Sequence, residues 1–585
     1  MLFSILLWQM IKRIINFANQ IKSADTFFII FCSLVVFFVS FKFFNFPFVL
    51  NNEIILETDG IFTQTQIQSL AEGAIFQRTP NLGYPFGYSQ WTVPQFSIIE
   101  SIFLWLISNL FPFSNFGLLI AIGVFITFLN SYSLYLLAKY YDLNSFVKVL
   151  FIVIGAFSPY ALNSITHPHV MKIFTIPIYL ILLKIIYTKK TISVKEFIIF
   201  IIFLLSSSLY WVNVFFAIFF VLLFIIIINK LFRQSDSDSS LKIILKLFLI
   251  NFTILFIHIY LFFINRDITG QNGRGRWHSD LFSGKFTDFL LSSPLINYFI
   301  PNTQVLYDGA STEIKANLVG LPLIITFAYL IIQIVSFENH RSLDLKLITQ
   351  ISIIGTLFFV VGGLSNLQSA IFVFFGTTSP MRTWSRVSIL LSIIGLLLLF
   401  NYLKKYSKIN FITAMLFIIL SFFDLIYLPK PLNTTENWKT HEYFNAINFI
   451  QKNLQPCPIL QLPIDTYLVP QGALDMAVRY YWTDQIPFIV LPEYKWTAAT
   501  YTGTKGWTEL TEIKPLLNQE DLKNYSNKFC AILFDINFSK YQIDRKATLP
   551  NTDLGWPGVE IVSEVKPAFE DSRFRVYILN DSKKY

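Results

Sequence analysis

Charge is scarce in this chain: of 585 residues only 14% are Asp, Glu, Lys or Arg, against 54% hydrophobic residues and a positive mean hydropathy. So little charge cannot cover a soluble globular surface, so the chain reads as a polytopic membrane protein. Cysteine is nearly absent too, with three residues, so no dense disulfide framework organises the fold. Cys32 lies in an apolar run, while Cys457 and Cys530 fall in the polar C-terminal region, where a bridge and a pair of buried free thiols in neighbouring strands are both open. No small-residue cleavage site follows the apolar run from Thr26 to Phe44, which reads as a retained first span rather than a removed signal peptide. Lone acids that would mark a proton path through the middle of spans are otherwise missing, which counts against a proton-coupled transporter.

What is present is a succession of apolar runs near twenty residues, long enough to cross a bilayer as helices. After the first, spans are predicted near 116 to 138, 146 to 162, 170 to 187, 194 to 209, 211 to 229, 243 to 264, 318 to 336, 347 to 363, 385 to 402 and 409 to 428, about eleven in all. The apolar segment 96 to 113 is interrupted by Glu100 and Asn109 and bracketed by Pro94 and Pro112, so an interfacial or re-entrant helix is expected there. Residues 1–25 mix apolar with basic and amide residues as an amphipathic surface helix does.

The net charge of +9 reports topology and not a nucleic-acid partner, because the basic residues cluster in short loops between spans. Lys12, Arg13 and Lys22, then Lys139 and Lys148, Lys184 to Lys195, Lys230 to Lys246, Arg341 and Lys346, and Lys404 to Lys408 occupy every other connection. The amino terminus is therefore expected on the cytoplasmic side of the membrane. Loops 46–95 and 265–317 and the region 431–585 are expected outside, with 26–430 as the transmembrane domain.

Residues 431–585 have soluble composition. Tyr443 to Leu454 and Gln519 to Phe529 read as helices. Pro458 to Pro463, Ile486 to Leu491, Cys530 to Phe538, Val559 to Val565 and Arg573 to Leu579 read as strands, which together predict an extracytoplasmic α/β domain. It holds no Gly-rich phosphate loop, no Gly-x-Ser-x-Gly and no Cys/His metal spacing. Its tryptophans, Trp438, Trp482, Trp496, Trp507 and Trp556, suit either sugar stacking or a core. The domain is expected to be a cap over the membrane cavity or an acceptor platform.

The chemistry-bearing residues gather in the outer connections. Leu56-Glu57-Thr58-Asp59-Gly60 puts two carboxylates i, i+2 at the membrane surface, where both can reach one substrate centre as base and orienter or serve as solvated loop acids. Behind it stand Tyr84, Tyr88 and Trp91, able to stack on a sugar face or to form an interfacial aromatic belt. Arg382 and Arg386 are i, i+4 on a helix, hence on one face, and their guanidinium forks suit a phosphate, whether of a ligand or of lipid headgroups. Arg274, Arg276 and His278 sit in loop 265–317 against the charge rule, and His167-Pro168-His169 offers two imidazoles without a recognisable third ligand. Asp424 reads as a rim residue.

A cytoplasmic amino terminus, about eleven spans, an acidic pair in the first large outer loop and a soluble outer C-terminal domain together resemble the GT-C superfamily of integral-membrane glycosyltransferases. Its members carry a variant Asp-x-Asp motif in that loop, matched here by Glu57-Thr58-Asp59. No Trp-Trp-Asp motif of the eukaryotic oligosaccharyltransferase type is present, so the resemblance is to bacterial members that decorate cell-surface polymers. It implies a polyprenyl-phosphate-sugar donor taken from membrane lipids, a glycan or lipid acceptor, and transfer with inversion on the extracytoplasmic face. Asp59 would be the base, with Glu57 orienting it or binding a divalent cation such as Mg2+ or Mn2+. Arg382 and Arg386, with Arg276 and His278, would neutralise the leaving phosphate, while His167 and His169 could ligate a metal, hold a phosphate or cap a span. A flippase or exporter of lipid-linked glycans would use the same arginines without needing Asp59, and a non-catalytic envelope assembly protein would need neither.

Overall fold

The structure, a computed structural model, describes residues 23–44, 54–56, 59–82, 96–164, 167–188, 191–233, 238–265, 320–335, 343–359, 364, 387–428, 435–462, 486–497, 516–537 and 560–579. Among the described residues each predicted span falls on helix. The first is α1 (Ser23–Phe44); after the short strand β1 (Ile54–Leu56) come α2 (Asp59–Ala71) and α3 (Ile98–Leu110). The bundle continues with α4 (Asn115–Tyr140), α5 (Ser145–Phe157), α6 (Pro159–Asn163), α7 (Pro168–Met171), α8 (Thr175–Thr188), α9 (Val194–Ser206), α10 (Leu209–Arg233) and α11 (Asp238–Asn265). It closes with α12 (Leu321–Val335), α13 (Leu343–Phe359), α14 (Val387–Leu403) and α15 (Ser407–Tyr427). Among the described residues, seven segments are long and apolar enough to cross a membrane, and α3, α12 and α14 are shorter apolar helices. The expected helix over 1–22 lies outside the described residues.

Helices in lipid gain nothing by hiding apolar side chains from one another, so they associate through close packing and small residues. Phe27, Leu34 and Phe37 of α1 are accordingly exposed, as are Ile412 and Ile426 of α15, where acyl chains would surround them. Close packing is enforced by glycine. A Cβ on Gly395 of α14 would stand 2.1 Å from the Thr326 carbonyl oxygen of α12, and one on Gly155 of α5 would stand 2.6 Å from Cα of Ser131 on α4.

Polar contacts sort the bundle into two ends. At one, Lys139 pairs with Asp25, Lys184 with Asp344, the Tyr140 hydroxyl donates to Glu196, and Lys404 reaches the Tyr141 carbonyl. These are the helix ends whose lysines the charge pattern assigns to one side. At the other end lies the C-terminal domain, tied to the bundle by the Asn115 amide, which donates to the Ile489 carbonyl at 3.3 Å.

Two of the predicted spans are broken. The third divides at Ser158-Pro159 into α5 and α6. The fourth divides between α7 and α8 at Lys172–Phe174, where buried Asn130 of α4 takes over the loose backbone groups: its amide donates to the Met171 carbonyl at 3.0 Å, and its carbonyl oxygen accepts from the Phe174 N–H at 2.9 Å. Non-helical backbone at membrane depth persists only when something replaces the missing helical bonds. Asp424 is no rim residue: it is buried and accepts the Leu321 N–H at the start of α12, satisfying one of the donors that a helix start leaves over. Gly320, just before it, has φ of +92°, and a Cβ there would meet that carboxylate at 2.9 Å.

The C-terminal domain comprises β2 (Thr435–Asn437), a 3-10 turn at Trp438–Thr440, α16 (Phe444–Asn453), β3 (Pro458–Leu462), α17 (Ile486–Val490), β4 (Lys495–Trp496), β5 (Leu516–Leu517), α18 (Gln519–Tyr525), β6 (Ala531–Asp535), β7 (Glu560–Ile561), β8 (Phe569–Glu570) and β9 (Phe574–Ile578). Its main sheet has the order β4-β3-β6-β9-β8, with β3 parallel to β4 and β6, and β9 antiparallel to β6 and β8. Cys457 and Cys530 form a disulfide at the start of β3 and β6, Cα atoms 6.2 Å apart. The expected strand at Ile486 to Leu491 is instead a short helix. A brief apolar run has no period that separates the two, and Pro487 suits a first helical turn while removing a ladder donor. Of Val559 to Val565, among the described residues, Glu560–Ile561 is strand. Trp438 and Trp496 are core residues and not sugar platforms: both are buried, and the Trp496 indole N–H donates to the Leu491 carbonyl at 2.9 Å.

Candidate functional site

Asp59 is the first residue of α2, three residues after the end of β1. An acid there stands at the positive end of the helix dipole. β1 pairs antiparallel with β2, in the register Ile54 with Asn437, Ile55 with Glu436 and Leu56 with Thr435. Directly after Asp59, Ile61 and Phe62 are buried in the same hydrophobic cluster as Trp438, Tyr443, Ile486 and Phe488 of the C-terminal domain. A turn later, Ile67 and Leu70 belong to the core of the membrane domain. Helix α2 is thus a wall shared by both domains, with the acidic segment at its head. Further on, the Trp496 N–H donates to the Asn81 carbonyl at 2.8 Å and Leu82 bridges to Trp496.

At this end of the bundle lies an ion pair that charge counting missed. Lys172, in the break between α7 and α8, contacts Glu100 of α3, and neither side chain has any exposed surface. Glu100 is held in place by its own helix: the Ser97 N–H donates to Oε2 at 2.9 Å, and the Ser97 hydroxyl accepts the Glu100 N–H at 3.5 Å, a reciprocal capping box. Oε1 of Glu100 and the amine of Lys172 have no hydrogen-bond partner among the described residues beyond the pair itself. Such a pair persists only by mutual compensation, since either charge alone would be stranded in a medium that cannot solvate it. A polar seam continues from it, with the Thr175 hydroxyl donating to Ser207 at 3.3 Å, and the Ser207 hydroxyl to the Phe203 carbonyl at 3.1 Å.

The expected site residues divide into a few that are described and many that are not. His167 caps α7, and its carbonyl accepts the Val170 and Met171 N–H groups at 2.8 and 3.3 Å. Its ring stands 6.1 Å from that of His169, both half-buried. The turn they form leads, within three residues of His169, to Lys172. Glu57, Tyr84, Tyr88, Trp91, Arg274, Arg276, His278, Arg382 and Arg386 lie outside the described residues, as does the side chain of Asp59. Among the described residues no three His, Cys, Asp or Glu side chains converge as a metal site would need.

Glu100 and Lys172 left a signal in the sequence. Each interrupts an apolar run, and an ionisable residue within a span is a functional candidate by default. Glu100 reads there only as a reason to deny α3 a full crossing, and α3 is an apolar helix of thirteen residues that rises about 20 Å. Lys172 is masked by the neighbouring histidines.

Fold and site together define a polytopic α-helical membrane protein with a C-terminal α/β domain packed on its first large loop. No family model and no curated sequence matches the chain. Among solved structures it is similar to the archaeal oligosaccharyltransferase AglB from Archaeoglobus fulgidus in complex with an inhibitory peptide and a dolichol-phosphate, at 11% identity over 89% of this chain and 71% of that one, TM-score 0.49. It is similar to the arabinofuranosyltransferase AftD from Mycobacteria at 10% identity over 87% of this chain and 35% of that one, TM-score 0.46. ArnT from Cupriavidus metallidurans bound to undecaprenyl phosphate matches at 11% identity over 96% of this chain and 99% of that one, TM-score 0.43.

Proposed function

We propose that the chain is a membrane glycosyltransferase. It would move a sugar from a polyprenyl-phosphate-linked donor to a cell-surface glycan, lipid or polymer acceptor on the extracytoplasmic face, with Asp59 as general base. The observation that carries this reading is the placement of residue 59. It heads a helix walled in by both domains, at the end of the bundle opposite the basic loops, where the buried Glu100–Lys172 pair also lies.

In this reading Asp59 takes the proton of the acceptor hydroxyl as that oxygen attacks the anomeric carbon. The bond from that carbon to the lipid-phosphate oxygen breaks, the configuration inverts, and the phosphate leaves as an anion neutralised by Arg382 and Arg386, aided by Arg276, His278 and His167. Glu57 orients Asp59. Where a divalent ion is bound, Glu57 would help hold it, and its charge would offset that of the departing phosphate.

The test is transfer of labelled sugar from polyprenyl-phosphate donor in membrane vesicles. Asp59→Asn is expected to lower the rate by about 10²- to 10⁴-fold, the usual contribution of a general base. Transfer near the parent rate would remove Asp59 from that role, and lipid translocation without any glycosidic bond formed would favour the exporter.

A further inference from the structure

We propose that the strand Thr435–Asn437 is a positioning element for the acidic segment, so that the C-terminal domain sets where residue 59 stands. The inference rests on the reading of Asp59 as the base, but it is argued from different observations.

A two-stranded ribbon of three residues a side is marginal by itself, so its geometry is dictated by whatever flanks it. One strand, β2, runs straight into the turn at Trp438, whose indole is buried in the core of the C-terminal domain. The other, β1, ends three residues before Asp59, the first residue of α2. On the far side of that segment the chain is held again by the same domain, through Ile61 and Phe62 and the packing of α2 on α17. It is held a third time at Asn81 and Leu82 against Trp496. Three separate grips on residues 54 to 82, two of them made by backbone atoms, leave Asp59 little freedom except to follow the domain.

The consequence is that the C-terminal domain is not a detachable cap. Helix α2 is also anchored in the membrane core by Ile67 and Leu70. A shift of the domain relative to the bundle must therefore be absorbed at the head of α2, where Asp59 lies. An acceptor bound to the domain would adjust the base through the same ribbon. Because the ribbon is a backbone ladder, its contribution depends on the N–H groups at 435 to 437 and not on their side chains.

Proline at 435, 436 and 437 in turn tests this in the full-length protein in detergent. Successive residues of an antiparallel strand alternate in donating to the partner, so at least one of the three variants removes a ladder bond. That variant is expected to raise amide exchange over residues 54 to 62 about tenfold while the core strands Pro458–Leu462 and Ala531–Asp535 keep their protection and Cys457–Cys530 stays bridged. Its transfer kcat is expected to fall with KM little changed, and Glu436→Ala, which keeps the N–H, is expected to behave as the parent. Unchanged exchange over 54 to 62 in all three proline variants would overturn the proposal. So would raised exchange with an intact kcat in a protein that Asp59→Asn inactivates. Should Asp59→Asn prove silent, the base reading falls by itself, and the exchange readout still decides whether the strand holds the segment.

Discussion

Removing one half of the Glu100–Lys172 pair has a cost that can be worked from its burial. Both side chains are fully enclosed, and beyond the pair the carboxylate receives one hydrogen bond, from the Ser97 N–H at 2.9 Å. In Lys172→Met the carboxylate is left without its counter-charge, and loss of one partner from a buried pair costs about 3–5 kcal/mol. A stranded carboxyl escapes by taking up a proton. The destabilisation of Lys172→Met should therefore shrink on acidification. Glu100→Gln strands an ammonium instead, which escapes by losing a proton, so its destabilisation should shrink as pH rises. Gln keeps an acceptor for the Ser97 N–H, so the capping box survives. The double variant removes both charges, keeps the volume, and should return to within about 1 kcal/mol of the parent, since apolar or neutral replacements of a buried pair are close to neutral. The assay is unfolding by graded SDS titration in mixed micelles, followed by tryptophan fluorescence at pH 6, 7 and 8. Single variants whose losses simply add in the double, or which show no opposed pH slopes, would refute the argument that the two charges compensate each other.

The same assay tests the glycine before α12. Gly320→Ala must hold a φ of +92° and push a methyl against the Asp424 carboxylate, so a loss of about 1–3 kcal/mol is expected, and a neutral result would refute the cap geometry. In the C-terminal domain, burial first and the Arg573 charge second lower the titration of His441 from 6.5 to about 4, consistent with its Nδ1 accepting the Tyr443 N–H at 3.2 Å. The folded state thus binds the proton less readily than the unfolded one. The contribution is complete above pH 6.5 and is lost as pH falls towards 4, by at most about 3 kcal/mol. Denaturation between pH 7 and 4.5 should show that slope, and His441→Gln should flatten it; an identical slope in the variant would place the titrating group elsewhere.

The membrane fold was legible in the residues because its signals are local. An apolar run of about twenty residues announces a helix wherever its neighbours lie, and lysines in alternate connections announce which helix ends share a face. The contacts joining Lys139 to Asp25 and Lys184 to Asp344 show those ends meeting. The short helix at Ile486–Val490 escaped because five apolar residues carry no usable period. The open question at Cys457 and Cys530 needed the parallel pairing of β3 with β6, which sets the two cysteines side by side across 73 residues of chain.

The site was legible only in part. Glu57-Thr58-Asp59 could be picked out by composition, as acids in a chain poor in charge, but nothing local says that β1 pairs with a strand beyond the last span. Backbone ladders carry no side-chain signature, so that pairing is a decision of tertiary structure. Lys172 and Glu100 likewise each look misplaced within an apolar run. Only the fold, by breaking a span at Lys172–Phe174 and stapling the break with Asn130, brings the two charges together and makes each the reason the other can be there.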